Sequence, residues 1–140
     1  MNDDLQFAKL DEYLKQWRRN RQCCQAIDRK FPDWQITVAF YTALHAINAA
    51  AAHLGEKPCD HMQRNALVKS NQAFASVRVK YLRLYRLSRF TRYDPDPDAW
   101  LPPEYLNVQT VIDDLLTPIE NQIQTLIGRN LNLPGFKVAD

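Results

Sequence analysis

The sequence predicts an all-α protein, a four-helix-bundle-like up-and-down domain with one additional short helix. Apolar residues recur at intervals of three and four over long stretches, and no alternation typical of β-strands persists over a useful length. Only three glycines occur, and the eight prolines lie mostly at apparent helix boundaries. Since 140 residues suit one domain, we expect a single helical domain over residues 1–130 and a C-terminal tail over residues 131–140.

The first two predicted helices differ in their apolar pattern. Residues 3–30 carry one apolar stripe and a basic second half, which is typical of an amphipathic helix with a solvated face. Residues 31–33 break this helix, and residues 34–54 are apolar almost all round. A helix without a polar face packs on several sides, so we expect the second helix to be central. Gly55 is the predicted C-cap that ends it.

The remaining helices follow the same periodic rules. Asp60 is the predicted N-cap of a short helix, and a long helix with one apolar stripe comes next. Residues 94–103, rich in aspartate and proline, form a predicted loop. Residues 104–129 form the last long helix, with a kink expected at Pro118, and Phe136 is expected to anchor the tail. The stripe of the long helix that lies between the short helix and the predicted loop consists of Phe74, Val77, Tyr81, Leu84 and Ser88.

The charge distribution says more than the net charge of +2. No acidic residue occurs between Asp60 and Asp94, and that stretch includes a run of closely spaced arginines. A local basic face can attract an anionic partner even when the whole chain is nearly neutral.

The number of cysteines and the character of the first residues predict the cellular compartment of the protein. The three cysteines are an odd number with two of them adjacent, which does not suit a disulfide framework. The polar, acidic first residues do not look like a signal peptide, and no apolar run is long enough to span a bilayer. We therefore expect a cytoplasmic protein that has no membrane partner.

One face of the central helix carries polar groups. Tyr41, His45 and Asn48 follow one another at steps of four and three, so they share that face. They are candidates for a polar pocket, to which His61 is a further candidate contributor. The alternative is that they are buried polar groups with internal hydrogen-bond partners.

The histidines and cysteines near the end of this helix do not predict a metal site. His53, Cys59 and His61 lack the paired spacing that zinc ligands show, and zinc needs about four of them. We expect no metal and no other cofactor.

Residues 81–94 (YLRLYRLSRFTRYD) carry the strongest functional signal. Arginine pairs with phosphate and tyrosine stacks on unpaired bases, so their interleaving suits RNA or a nucleotide. The alternative is a solvated basic face whose arginines pair with the acidic loop that follows. The candidate binding residues are Tyr85, Arg86, Arg89, Arg92 and Tyr93.

Three segments in order resemble the HEPN superfamily, the helical domains named for higher eukaryotes and prokaryotes nucleotide-binding. Residues 39–50 (AFYTALHAINAA) look like the aromatic-rich helix of that family. Residues 54–61 (LGEKPCDH), with Arg64 after them, are similar to the turn that follows this helix in the family. Residues 81–88 (YLRLYRLS), which lead to residues 92–94 (RYD), are similar to the closing helix of the family. The resemblance covers about residues 34–95.

The resemblance implies a bundle of four to five helices, usually a homodimer, of a kind common in toxin–antitoxin and antiviral defence systems. Catalytic members cut RNA without metal through an arginine followed after about four to six residues by histidine. Here every histidine precedes the arginine-rich helix, and Thr91 stands where Arg86 would lead to a histidine. Threonine cannot act as a neutral-pH acid or base as imidazole does, so ribonuclease activity by that route is not expected.

Two functions follow as expectations. The first is a HEPN-like protein that binds RNA or nucleotide through the Arg/Tyr-rich helix end. The family resemblance leaves a residual or variant ribonuclease activity open, with His45 or His61 as the imidazole donors available from elsewhere. The second is a non-enzymatic helical interaction module that partners a nucleotidyltransferase or another subunit. No nucleophile–base pair or phosphate loop supports a small-molecule enzyme.

Overall fold

The computed structural model describes the backbone of residues 3–93 and 107–138, with side chains described from Lys9 onward. These residues are helical or irregular and include no strand, so the predicted all-α fold is confirmed. The acidic loop of residues 94–103 lies in the part of the chain that is not described, as does the predicted start of the last helix at residue 104.

Six α-helices account for the described fold. They are α1 (Asp3–Ala26), α2 (Pro32–His53), α3 (His61–Ser70), α4 (Arg78–Tyr93), α5 (Val108–Val111) and α6 (Thr117–Ile127). A 3₁₀ turn (Gln72–Phe74) leads into α4, and a π-helical turn (Ile112–Leu116) joins α5 to α6. The three last segments follow one another without a gap, so they form one helical rod.

Helix α2 is the central element, as its apolar pattern predicts. It packs against α1 most extensively and also contacts α4, the π-helical turn and α6. Its alanine run from Ala49 to Ala51 is fully buried, and the small side chains let neighbouring helices approach closely. Every residue of the predicted α4 stripe, from Phe74 to Ser88, is buried toward the same core.

The helix boundaries follow local sequence signals. Pro32 lies in the first turn of α2, where its missing N–H costs nothing. Gly55 adopts a positive φ of 79° directly after the C-cap residue Leu54, a conformation that glycine tolerates. The Asp60 carboxylate accepts a hydrogen bond of 2.8 Å from the Gln63 amide and so caps α3, as predicted.

Helix α1 ends at Ala26, four residues earlier than the sequence pattern predicts. The Asp28 side chain accepts a hydrogen bond of 2.9 Å from the Lys30 amide, and its carbonyl accepts one of 2.9 Å from the Phe31 amide. Aspartate offers the backbone these turn-forming bonds in place of helical ones. The turn then leads directly into Pro32.

A π-helical turn, Ile112–Leu116, precedes Pro118, the residue at which the sequence predicts a kink. Proline cannot donate to the carbonyl four residues earlier, and its ring crowds that carbonyl. Widening the helix over Ile112–Leu116 adds one residue to the turn before Pro118. The helical rod therefore continues with Ile112, Leu116 and Ile119 all buried.

A buried ion pair joins α1 to α6. The Arg21 Nε lies 3.0 Å from the Glu120 Oε2, and the Trp17 indole N–H donates to the same oxygen at 2.7 Å. Burial raises the pKa of Glu120, and the bonds from Trp17 and Arg21 offset part of that rise. Arg21 also holds the tail, since its Nη2 donates to the Pro134 carbonyl at 2.7 Å.

The tail packs onto the domain in the described part of the 131–140 segment. Phe136 is buried, as predicted, and the Arg21 guanidinium lies 5.0 Å from its ring centroid. Gln109 bonds both the Phe136 carbonyl and the Val138 amide, at 3.1 and 2.9 Å. Among the described residues, no helix is long and apolar enough to cross a membrane.

The ion pair gives a stability prediction. Arg21→Met should lower the free energy of unfolding by about 3–5 kcal/mol, because it leaves the Glu120 carboxylate buried without its cation. Urea denaturation at neutral pH measures this. The exposed pair of Arg129 and Asp11 is the matched control, and Asp11→Asn should cost less than about 1 kcal/mol. Equal costs for the two variants would contradict a structural role for the buried pair.

Candidate functional site

The arginine-rich helix α4 runs beside the first half of α2, and α3 lies close to both. The Thr37 and Thr91 hydroxyl oxygens, 3.0 Å apart, join the start of α2 to the end of α4. Ring contacts of Phe40 with His61 and with Tyr85 connect the three helices. The polar and aromatic groups around this junction form one cluster, here called the α2–α3–α4 cluster; its members are Phe40, Tyr41, Asn48, His61, Arg64, Tyr85, Arg89 and Arg92.

Arg92 reaches across from α4 to α2. Its Nη1 donates to the Tyr41 hydroxyl at 2.9 Å, and its Nε and Nη2 bond the carbonyl and hydroxyl of Ser88 at 3.1 and 3.4 Å. The guanidinium also lies over the rings of Phe40, Tyr41 and Tyr93, 5.3–5.9 Å from their centroids. These bonds use three of its five N–H groups and hold the cation in place at the surface.

Arg89 and Tyr85 form a second stacked unit on the same helix. The Arg89 guanidinium lies 5.9 Å from the Tyr85 ring centroid and donates to the phenol oxygen at 3.3 Å. The Tyr85 ring in turn lies 5.6 Å from the His61 imidazole. Arg89 itself stays exposed, so its charge faces solvent beside the aromatic rings.

Arg64 anchors the cluster from α3. It is only 7% exposed, and its Nε donates to the Asn48 side-chain oxygen at 2.9 Å. Its Nη1 lies 3.4 Å from the Nδ1 of His61. Two of the three residues on the predicted polar face of α2 therefore have internal hydrogen-bond partners. Asn48 accepts from Arg64, and Tyr41 accepts from Arg92.

The cluster is positively charged. Within residues 9–93 and 107–138, no carboxylate forms an ion pair with Arg64, Arg89 or Arg92. Burial, followed by Arg64 and Arg92, lowers the pKa of His61, and the nearby Asp60 offsets only part of that effect. Burial and Arg64 also lower the pKa of His45. Both imidazoles are thus neutral near pH 7 while the guanidinium groups keep their charge.

Two buried polar atoms next to the cluster lack good partners. The Nδ1 of His45 is buried and makes no hydrogen bond to the described residues. The Tyr81 hydroxyl also lacks a bond of good geometry there; burial raises its pKa, and the nearby Arg64 guanidinium offsets part of the rise. Unpaired buried groups cost stability, so both atoms are local weak points beside the cluster.

The other predicted arginines and aromatics do not all join the cluster. Arg86 is exposed and forms no hydrogen bond or ion pair with the described residues. It lies six positions before Arg92, which places it about 120° around the helix and away from the cluster. Tyr93 is 73% exposed and meets the cluster only through Arg92 among the described residues. Arg78, close in angle to Arg92 by sequence, instead caps the end of α3 by donating to the Val68 and Asn71 carbonyls.

Thr91, which stands in place of a histidine, is a structural residue. It is buried, and its hydroxyl donates to the Ser88 carbonyl at 2.9 Å as well as contacting Thr37. It cannot reach a ligand on the surface. The buried thiol is equally unsuited to chemistry: Cys24 lies against the Gln35 carbonyl, and burial raises its pKa to about 12.

Sequence reasoning did not select Arg64 and Phe40 as site residues. Arg64 has one local signal, its position three residues after His61 on the same short helix, which places the two side chains together. Phe40 looks like any core aromatic, yet its ring contacts three aromatic partners and one cation of the cluster. No group of three or more potential metal ligands occurs in the described part of the chain.

The comparisons with known proteins returned no match: no family model, no curated protein and no solved structure is significantly similar to this chain. The function proposed below therefore rests on the residues and the geometry of this chain.

The neutral, buried state of His45 predicts a pH dependence. Its folded pKa lies below the unfolded value of about 6.5, so the unfolded chain binds the proton more readily as the pH falls below that value. The free energy of unfolding should drop between about pH 7.5 and pH 5.5, and His45→Gln should reduce that drop. Urea denaturation at the two pH values measures it.

Measuring the wild type and His45→Gln at both pH values separates the contribution of His45 from that of the other titrating groups. An equal drop in the wild type and the His45→Gln variant would contradict a buried, neutral His45.

Proposed function

We propose that this protein binds RNA or a nucleotide through the α2–α3–α4 cluster. The observation that carries the proposal is the uncompensated charge of Arg64, Arg89 and Arg92, gathered around aromatic rings and without a carboxylate partner among the described residues. Guanidinium groups in this state are suited to phosphate, which accepts from them in the planar geometry they offer.

The aromatic groups support a nucleotide over a simple anion. Tyr85 is partly exposed beside Arg89, and Tyr93 is exposed beside Arg92, so each cation has an adjacent ring. Unpaired bases stack on such rings while the phosphates contact the arginines. Trp34, 59% exposed, adds a further ring one turn before Thr37 on α2, the residue that contacts the end of α4.

The proposal is for binding rather than cleavage by the route known for the HEPN family. Thr91 is buried and hydrogen-bonded, so it offers neither an imidazole nor an accessible proton acceptor. A role in a toxin–antitoxin or defence system, and assembly as a homodimer in the cytoplasm, belong to this proposal through the resemblance of residues 34–95 to that family.

A second function, protein–protein interaction, is favoured by a different observation. Large apolar side chains are exposed where the start of α2 meets the end of α4; they are Phe31, Trp34, Phe90 and Tyr93. Aromatic residues are enriched at interfaces, and a partner such as a nucleotidyltransferase subunit or a second copy could cover them. In that case Phe31→Ala would abolish complex formation without changing the affinity for RNA.

Binding of a fluorescent single-stranded RNA tests the main proposal. Replacing the exposed arginine of the cluster, Arg89→Ala, should weaken the affinity about tenfold, since the protein then neutralises one phosphate fewer. The salt dependence should also become shallower, by about 0.7 in the logarithmic slope for each single-strand phosphate that is no longer neutralised. Fluorescence anisotropy at several salt concentrations measures both quantities.

A charge-matched control comes from helix α1. Arg18 is exposed and lies outside the cluster, so Arg18→Ala should leave the affinity nearly unchanged. Equal reductions in affinity in Arg18→Ala and Arg89→Ala would indicate general charge attraction and contradict a site at the cluster. Absence of binding by the wild-type protein would reject the proposal outright.

A further inference from the structure

His61 occupies the centre of the α2–α3–α4 cluster. Its imidazole ring lies 5.8 Å from the Phe40 ring and 5.6 Å from the Tyr85 ring, measured between centroids. It opens α3 directly after the cap residue Asp60, so its backbone position is fixed by the capped first turn. A partly exposed imidazole in this place lies within reach of any ligand that the arginines hold.

The contact with Arg64 determines which ring nitrogen of His61 carries the proton. The Nδ1 lies 3.4 Å from the Nη1 of Arg64. A guanidinium group can only donate hydrogen bonds, so the Nδ1 must accept through its lone pair. The neutral imidazole then carries its proton on Nε2, which makes no hydrogen bond to the described residues.

The surrounding charges favour the same neutral state. From its own helix and cap, His61 faces Arg64 and Asp60; from α4 it faces Arg89 and Arg92. The groups that α2 contributes nearby, Phe40, Tyr41 and Asn48, carry no charge. Among the residues that the structure describes, these three cations against one carboxylate oppose a second proton on the ring.

We infer that His61 donates its Nε2–H to a phosphate oxygen of the ligand and acts as a neutral hydrogen-bond donor, not as an imidazolium or a proton acceptor. This inference rests on the proposed function. It assigns the ligand as a phosphodiester held by Arg89 and Arg92 together with one neutral donor, which the buried Arg64 holds in position. The lone pair that a general base would need is engaged by Arg64, so His61 does not supply the base for RNA cleavage.

Three substitutions at one position test the role. The amide nitrogen of glutamine can stand close to the place of the imidazole Nε2, whereas the shorter asparagine cannot reach it. His61→Gln should therefore keep the RNA affinity within about threefold of the wild type, while His61→Ala and His61→Asn should weaken it about tenfold. Equal reductions in affinity for all three variants, at equal stability in urea denaturation, would overturn the inference.

The pH dependence of binding gives a second readout. An RNA without a terminal phosphate does not titrate near neutrality, so changes in affinity report on the protein. A neutral donor predicts a constant affinity between about pH 7 and pH 8.5. A required imidazolium would instead weaken binding up to about tenfold per pH unit above its pKa, which would overturn the inference.

Nitrogen chemical shifts of the His61 ring separate this inference from the proposed function. In the free wild-type protein, the spectrum at about pH 7.5 should show a protonated Nε2 and an unprotonated Nδ1. The opposite tautomer would overturn the role of His61 even if RNA binds. Failure of the wild type to bind RNA, with the expected tautomer present, would instead reject the proposed function and leave the Arg64–His61 geometry intact.

Discussion

The burial of helix α2 on nearly all sides is the constraint on which the rest of the structure depends. Residues from Ile36 to Ala52 are largely inaccessible to water, so each polar group within them needs a partner inside the protein. Thr42 meets this need locally by donating to the Val38 carbonyl. Tyr41 and Asn48 instead obtain their partners from Arg92 on α4 and Arg64 on α3. The central helix thus draws two arginines toward the core.

Those arginines link the stability of the fold to its surface chemistry. A carboxylate partner would neutralise them, as Glu120 neutralises Arg21 where α1 meets α6. Tyr41 and Asn48 are instead neutral acceptors, so the two cations are held in position while their charge stays uncompensated among the described residues. The same hydrogen bonds that satisfy the core therefore create a fixed positive potential beside aromatic rings.

Local rules control the features that could be predicted from the amino-acid order. The N-cap at Asp60, the glycine after α2 and the buried stripe of α4 follow from bonds and spacings within a few residues. Prediction failed where partners are distant. Arg64 lies on a short, mostly polar helix and resembles a surface residue; only its bond to Asn48, sixteen positions earlier, explains its burial. The early end of α1 was missed for a different, local reason: it depends on the side chain of Asp28, a detail that apolar periodicity does not contain.

The Arg/Tyr-rich helix end divides into residues with different tasks, which composition alone cannot separate. Arg78 holds the end of α3, Arg92 holds Tyr41, and Arg86 and Arg89 face solvent. Thr91 stands where the family motif has a histidine, and its hydroxyl contacts Thr37 between α2 and α4. A histidine at this position would have to fit a buried site that two threonines already fill. Thr91→His would therefore disturb the packing of α2 against α4 and would not provide an accessible base. The partly exposed imidazole of the cluster, His61, therefore comes from α3, where Arg64 contacts its Nδ1, and not from α4, which contributes Arg89 and Arg92.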